Sequence, residues 1–179
     1  FDFPVIGIPG TIDNDLACTD YTLGYDTATN TVIESIDKIR DTANSHNRLF
    51  FIEVMGRDAG FIALRTGLAT GAISILLPEE DIGIDDLIEL LKRNKATHKT
   101  SSIVVVAEGD ANGGAYEVAK KVKEKYNHLE TKVTVLGHVQ RGGSPTAFDR
   151  VMASRMGVKA VEGLLEGFES HMVGFKNDT

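Results

Sequence analysis

Five short apolar runs alternate with segments whose apolar residues recur at helical spacing, and few folds accept that alternation. The runs are Phe3–Ile8, Leu49–Val54, Ile73–Leu77, Ile103–Ala107 and Val133–Leu136. Each is short and bounded by Gly, Pro, Asn or Asp nearby, which suits strands. Between them, Thr22–Ala43 carries Ala28, Val32, Ile36, Ile39 and Ala43 at helical spacing, and Ser45-His46-Asn47 ends it. Ala59–Thr70 is a predicted helix with Phe61, Leu64 and Leu68 on one face. Asp85–Arg93 is predicted to turn Leu87, Leu90 and Leu91 inward, Tyr116–Tyr126 reads as a lysine-studded surface helix, and a last helix spans Ala147–Leu165. This order implies an α/β fold: a mainly parallel sheet flanked by helices in three Rossmann-like layers, with right-handed crossovers.

Parallel strands put their carboxyl ends on one edge, where open α/β sheets bind ligands. The polar features of this chain gather after predicted strands. Thr11, Asp13 and Asp15 follow the first, Arg57 the second, Glu108 the fourth, and His138 with Arg141 the fifth. Gly10, Gly56, Gly142 and Gly143 lie among them and permit close backbone approach. Arginines with glycine amides suit a phosphate. Carboxylates suit sugar hydroxyls or a proton transfer. A phosphorylated sugar needs both. Each feature also has a plainer reading. Asp13-Asn14-Asp15 could be an Asx-turn, Arg57-Asp58 a surface ion pair, His138 a structural histidine, and Glu108-Gly109 a polar strand end. Arg141–Pro145 could be an ordinary turn and Met55 a core filler. These readings are independent, whereas one shared edge explains all the features together.

Composition narrows the rest. The 179 residues allow one domain with a real core, and 42% hydrophobic with 25% charged residues argues against disorder. A formal net charge of -7 disfavours nonspecific nucleic-acid binding, so no nucleic-acid partner is expected. No apolar run approaches a membrane span, so no membrane partner is expected either. Cys18 is the only cysteine, which excludes a disulfide framework within one chain and makes a cytoplasmic setting the simplest. A strand starting within a few residues of Phe1 reads as a piece of something longer.

Four motifs occur in order: Pro9-Gly10-Thr11-Ile12-Asp13-Asn14-Asp15, Met55-Gly56-Arg57-Asp58-Ala59-Gly60, Ala107-Glu108-Gly109, and Gly137-His138-Val139-Gln140-Arg141-Gly142-Gly143-Ser144-Pro145. With Ile36–Ala43 and Ser45–Arg48 between the first two, they resemble the signature of the 6-phosphofructokinase family in its bacterial, ATP-dependent form. The resemblance implies phosphoryl transfer from ATP, with Mg2+, to the 1-hydroxyl of fructose 6-phosphate. The product would be fructose 1,6-bisphosphate, in a glycolytic homo-oligomer (a homotetramer). Asp13 matches the general base, Thr11 a neighbour of the moving phosphoryl, Asp15 a supporting carboxylate, and Arg57 the cation facing developing charge. Ile12, Met55, Gly56, Val139 and Gln140 match substrate contacts, Glu108 a carboxylate on sugar hydroxyls, and His138 with Arg141 the 6-phosphate clamp. Arg48 and Lys132 match residues that reach a neighbouring subunit's site.

The sequence departs from the family in three places. Lys132 stands where arginine is usual, which keeps the charge but loses the bidentate fork. At the bacterial effector site Arg40, Gly71 and Lys99 match, but Ile73 and Thr97 replace a carboxylate and a cation, so regulation there is not expected. The glycine-rich nucleotide loop and the magnesium aspartate are expected upstream of Phe1. Residues 1–179 would then be the fructose 6-phosphate portion, inactive alone, with no metal site of its own. Residues 1–20 and the C-terminal helix would pack with the nucleotide domain. Gly10 stands where pyrophosphate-using relatives carry lysine, which favours ATP. A pyrophosphate-dependent enzyme and a catalytically silent sugar-phosphate-binding half are the alternatives.

Overall fold

The computed structural model describes residues 3–44, 48–96 and 103–177. Its centre is a four-stranded sheet in the order β5-β6-β4-β7, every pair parallel. The strands are β4 (Arg48–Val54), β5 (Ser74–Leu76), β6 (Ile103–Ala107) and β7 (Glu130–Val135). All five residues of β6 are buried, as a β-branched run between two covered faces requires.

Alternate residues of the central strands feed two cores. Phe50, Ile52, Val54, Ile103, Val105 and Ala107 pack with α1 (Tyr25–Asn44) and α2 (Phe61–Thr70). Leu49, Phe51, Val104 and Val106 face α3 (Ile84–Ala96) and α4 (Ala115–Lys125). The inward stripe of α1 is the expected one: Ala28, Val32 and Ile36 are buried, and Ile39 packs against them. On α3, Leu87 and Leu91 are buried as expected, and Ile88 joins them while Leu90 stays half-buried. The last helix, α5, runs Ala147–Leu165 as expected.

Two expectations need correction. The first apolar run is not a buried strand. Only Ile6–Gly7 (β1) is extended, and it pairs with His171–Met172 (β8) in a separate two-stranded ribbon. Phe3 is 62% exposed and Ile8 43%. Apolar composition alone does not supply a layer over each face, and this ribbon lies outside the sheet. The second concerns α2. Phe61, Leu64 and Leu68 do share a face, but it is the exposed one, while Ile62, Ala63, Thr66 and Gly67 are buried. Gly67 explains the choice, because a Cβ there would press on the Ile75 side chain at 2.5 Å. Helix and sheet approach closely along the small residues, and the large ones turn outward. Ser45-His46-Asn47, Thr97 and Lys99 lie outside the described residues.

Candidate active site

The Asp13 loop leaves not the main sheet but β2 (Gly10–Thr11), which pairs in parallel with β3 (Leu23–Gly24) just before α1. The turn is built by other residues. Asn14 holds a positive φ of 57°, accepts from the Thr22 N–H at 2.8 Å, and donates to the Asp20 carbonyl at 3.1 Å. The Thr11 hydroxyl accepts from the Asp13 N–H at 3.2 Å. Turn chemistry and carboxylates are therefore divided between residues. The carboxylates of Asp13 and Asp15 make no hydrogen bond among the described residues.

β4 ends in the loop 55–60, whose amides are received by side chains from three other segments. Gln140 Oε1 accepts from Met55 N at 3.2 Å, and Glu108 Oε1 accepts from Gly56 N at 3.2 Å and Arg57 N at 2.7 Å. Glu79 Oε1 accepts from Gly60 N at 2.7 Å, where α2 begins. So held, Arg57 takes a left-handed φ of 54°, a conformation that costs a side-chain-bearing residue on the order of 1 kcal/mol. A Cβ on Gly109 would overlap the Arg57 carbonyl oxygen, so the loop after β6 lies directly on this turn. The Arg57 side chain is exposed and forms no ion pair with Asp58 among the described residues.

β7 delivers a 3-10 turn, Gly137–Arg141. His138 is exposed and makes no hydrogen bond among the described residues. Arg141 borders an open cleft of about 400 Å3 with Ile12, Gly24, Thr27, Gly142 and Arg150. Val139 is 55% exposed. Gln140 behaves differently from its neighbours. It is 1% exposed, and both ends of its amide are committed, to Met55 N and to the Gly137 carbonyl at 2.9 Å. Its side chain ties the turn after β7 to the Arg57 loop.

These pieces converge. Burial, then the Asp15 charge, pushes the Asp13 carboxyl above its ordinary value. Arg57 opposes this, Glu108 adds to it, and Arg141 opposes it. One carboxylate thus feels cations and carboxylates delivered by β4, β6 and β7. Glu108 spends only Oε1 on backbone, and Oε2 accepts no hydrogen bond among the described residues.

Arg48 and Lys132 lie elsewhere. Arg48 opens β4 and Lys132 sits near the start of β7, both at the amino edge of the sheet. A strand of β4's length spans about 20 Å. Neither side chain can therefore serve the carboxyl-edge site of its own chain. Arg40 donates through Nη2 to the Thr70 carbonyl at the carboxyl end of α2, which Gly71 closes in a left-handed conformation. Arg40 and Gly71 are thus neighbours, and Ile73 packs against the second core. Among the described residues no group of three or more His, Cys, Asp or Glu is arranged to hold a metal ion.

The sequence profile described as Phosphofructokinase matches residues 1–164. This chain belongs to the phosphofructokinase family. The ATP-dependent 6-phosphofructokinase of Lysinibacillus sphaericus is 59% identical over 175 residues, which are 98% of this chain and 54% of that protein. The phosphofructokinase structure from Saccharomyces cerevisiae superposes with a TM-score of 0.91 at 35% identity, covering 99% of this chain and 25% of that one. A pyrophosphate-dependent phosphofructokinase from Marinobacter aquaeolei gives 0.81 at 28%, covering 100% and 49%. The chain spans about half the length of the curated relatives it matches. The expected α/β phosphofructokinase-like fold is the observed one.

Two carboxylates that the structure engages were missed in the sequence: Glu79, which accepts from the Gly60 amide, and Glu130, which accepts from Arg48 at the amino edge of the sheet. Glu79 follows β5 directly after Pro78, so the strand-end rule that found Glu108 would have found it too. Glu130 was missed because β7 begins three residues before the apolar stretch that signalled it.

Proposed function

We propose that the full-length protein transfers a phosphoryl group from ATP to the 1-hydroxyl of fructose 6-phosphate. The observation that carries this reading is Asp13: a carboxylate free of hydrogen bonds, its pKa raised, within electrostatic reach of Arg57, Glu108 and Arg141. In the proposed mechanism Asp13 orients the 1-hydroxyl and accepts its proton, with Thr11 and Asp15 beside it. Arg57 faces the charge that develops on the moving phosphoryl. Ile12, Met55, Gly56 and Val139 line the sugar, Glu108 Oε2 accepts from its hydroxyls, and His138 with Arg141 receives the 6-phosphate. Gln140 contributes by holding the loop at Met55. Mg2+ is assigned to the full-length protein, since the described residues offer no complete ligand set, and no step is drawn through it. The nucleotide-binding elements are assigned to the part of the protein outside residues 1–179. Val151, Val158, Val161 and Leu165 on α5 are more than half or, for Leu165, 83% exposed. This face is proposed to pack against that part, as are residues 1–20. A cytoplasmic location fits the reading, and no helix among the described residues is long and apolar enough to cross a membrane.

The position of Arg48 and Lys132, at the far edge of the sheet from their own chain's site, supports a homo-oligomer in which they reach another copy's site. Lysine at 132 offers a point charge where a guanidinium would grip the phosphate bidentately. Lys132→Arg in the full-length protein should therefore lower KM for fructose 6-phosphate about tenfold or less, the scale of one typical net hydrogen bond at an exposed site. An unchanged KM would count against that role.

ATP is the assigned donor. A Cβ on Gly10 would meet nothing within 4 Å, so the loop leaves open space beside the reacting edge. Relatives between 53% and 59% identical are named ATP-dependent. The deciding experiment assays the full-length protein with ATP and with pyrophosphate. Turnover with ATP is expected, and turnover with pyrophosphate alone would move the protein to the other class. Gly10→Lys should raise KM for ATP while leaving the melting temperature nearly unchanged, because the added side chain enters open space.

A further inference from the structure

The start of β7 places one carboxylate between two cations. Glu130 Oε2 accepts from Arg48 Nε at 2.9 Å, and Glu130 Oε1 meets Lys132 Nζ at 2.8 Å. Strand pairing enforces this arrangement. Arg48 lies opposite Glu130 across the β4–β7 ladder, and Lys132 is two residues along the same strand, hence on the same face. The hydrogen bond from Lys132, then that from Arg48, draws the Glu130 carboxyl down to about 2, so it stays ionised at any pH where the protein works.

The donors that remain unused matter most. Glu130 engages Arg48 only through Nε, and Nη1 and Nη2 carry no hydrogen bond among the described residues. Lys132 spends one of its three donors among the described residues. The side chains are 28% and 45% exposed, so the unspent donors are open to an incoming group. Glu130 takes the inner nitrogen, which leaves the Nη1–Nη2 edge open for bidentate binding of a phosphate.

We propose that Glu130 is a positioning residue that holds Arg48 and Lys132 side by side as a preformed receptor for a sugar phosphate bound on another copy of the chain. This rests on the reading in which those two cations serve a neighbouring site. Without the carboxylate, two like charges on long side chains repel and regain rotamer freedom. The order they lose must then be restored when the phosphate binds. Glu130 also subtracts one charge from the receptor, which would act in the opposite direction. The exposed setting screens that term, whereas the geometric term persists.

The test is steady-state kinetics on the full-length enzyme with fructose 6-phosphate varied at saturating ATP. Arg48→Ala and Lys132→Ala should each raise KM. Glu130→Gln should raise KM about three- to tenfold, the scale of ordering one or two rotamer-rich side chains, with kcat within about twofold. In the Arg48→Ala background the same change should add little, because Glu130 acts through Arg48. Thermal melting should be nearly unaltered at so exposed a position. An unchanged or lowered KM in Glu130→Gln overturns the proposal, and so does full additivity with Arg48→Ala. If neither Arg48→Ala nor Lys132→Ala raises KM, the proposal falls together with the neighbouring-site reading. If both do and Glu130→Gln does not, Glu130 alone loses its role.

Discussion

Asp13→Asn in the full-length protein should lower kcat by about 10²- to 10⁴-fold, the usual contribution of a positioned proton acceptor, with little change in KM for fructose 6-phosphate. The amide keeps the shape of the side chain but cannot take the proton. The structure adds a second expectation, concerning stability. Burial and the Asp15 charge raise the Asp13 pKa in the folded state. For such a group the stability it lends is full below the unfolded value of about 3.9 and is lost as pH rises through the folded value. At neutral pH the ionised carboxylate therefore disfavours folding, and Asp13→Asn should melt at the same temperature or slightly higher. An inactive variant that is no less stable marks a group kept for chemistry. The pH profile follows the same sign. The acidic limb of kcat/KM should lie above the ordinary aspartate range, because only ionised Asp13 accepts a proton. Asp15→Asn should move that limb to lower pH by removing one of the charges that raises it. Unchanged turnover in Asp13→Asn would leave only a sugar-phosphate-binding role for this half.

What could be seen in the sequence depended on whether one segment was enough to show it. The four strands of the main sheet and all five helices were legible, because each carries its own period or its own continuous apolar run. The bounds of α5, Ala147–Leu165, were legible too, and the structure shows Thr146 capping its first turn by accepting from Asp149 N at 3.2 Å. The exposure of Phe3–Ile8 was not legible, because whether an apolar run is buried depends on a second layer that no local pattern records. The outward turn of Phe61, Leu64 and Leu68 was hidden for a related reason: the close approach is set by Gly67 meeting Ile75, a pair of different elements. The site divides in the same way. Asp13, Arg57, Glu108, His138 and Arg141 could be placed by motif and strand end. The shared job of Gln140, Glu108 and Glu79, holding the amides of one loop, exists only once three elements are assembled. Gln140 shows the limit most clearly, since its motif position marks it for substrate while its burial shows a side chain committed to backbone at both ends.

That assembled loop makes the second large prediction. Replacing Arg57 by glycine in the full-length protein should reduce kcat by about 10²- to 10³-fold, the scale of deleting one preorganised charge-stabilising donor. Folding should not suffer in proportion. The loop is held by Gln140, Glu108 and Glu79 acting on its amides, and the Arg57 side chain takes no part in that hold. Arginine at a φ of 54° is strained, and glycine adopts the same conformation freely. The relief of about 1 kcal/mol offsets the extra freedom glycine gives the unfolded chain, so the melting temperature should change by a few degrees at most. Arg57→Ala gives the contrast: similar loss of turnover, with the strain retained and no stability regained. Glycine and alanine variants that are both inactive and both markedly less stable than the parent protein would mean that the Arg57 side chain is structural. The strained backbone would then have to be explained by packing of Gly109 against it and not by the need to aim a cation at the transferring phosphoryl.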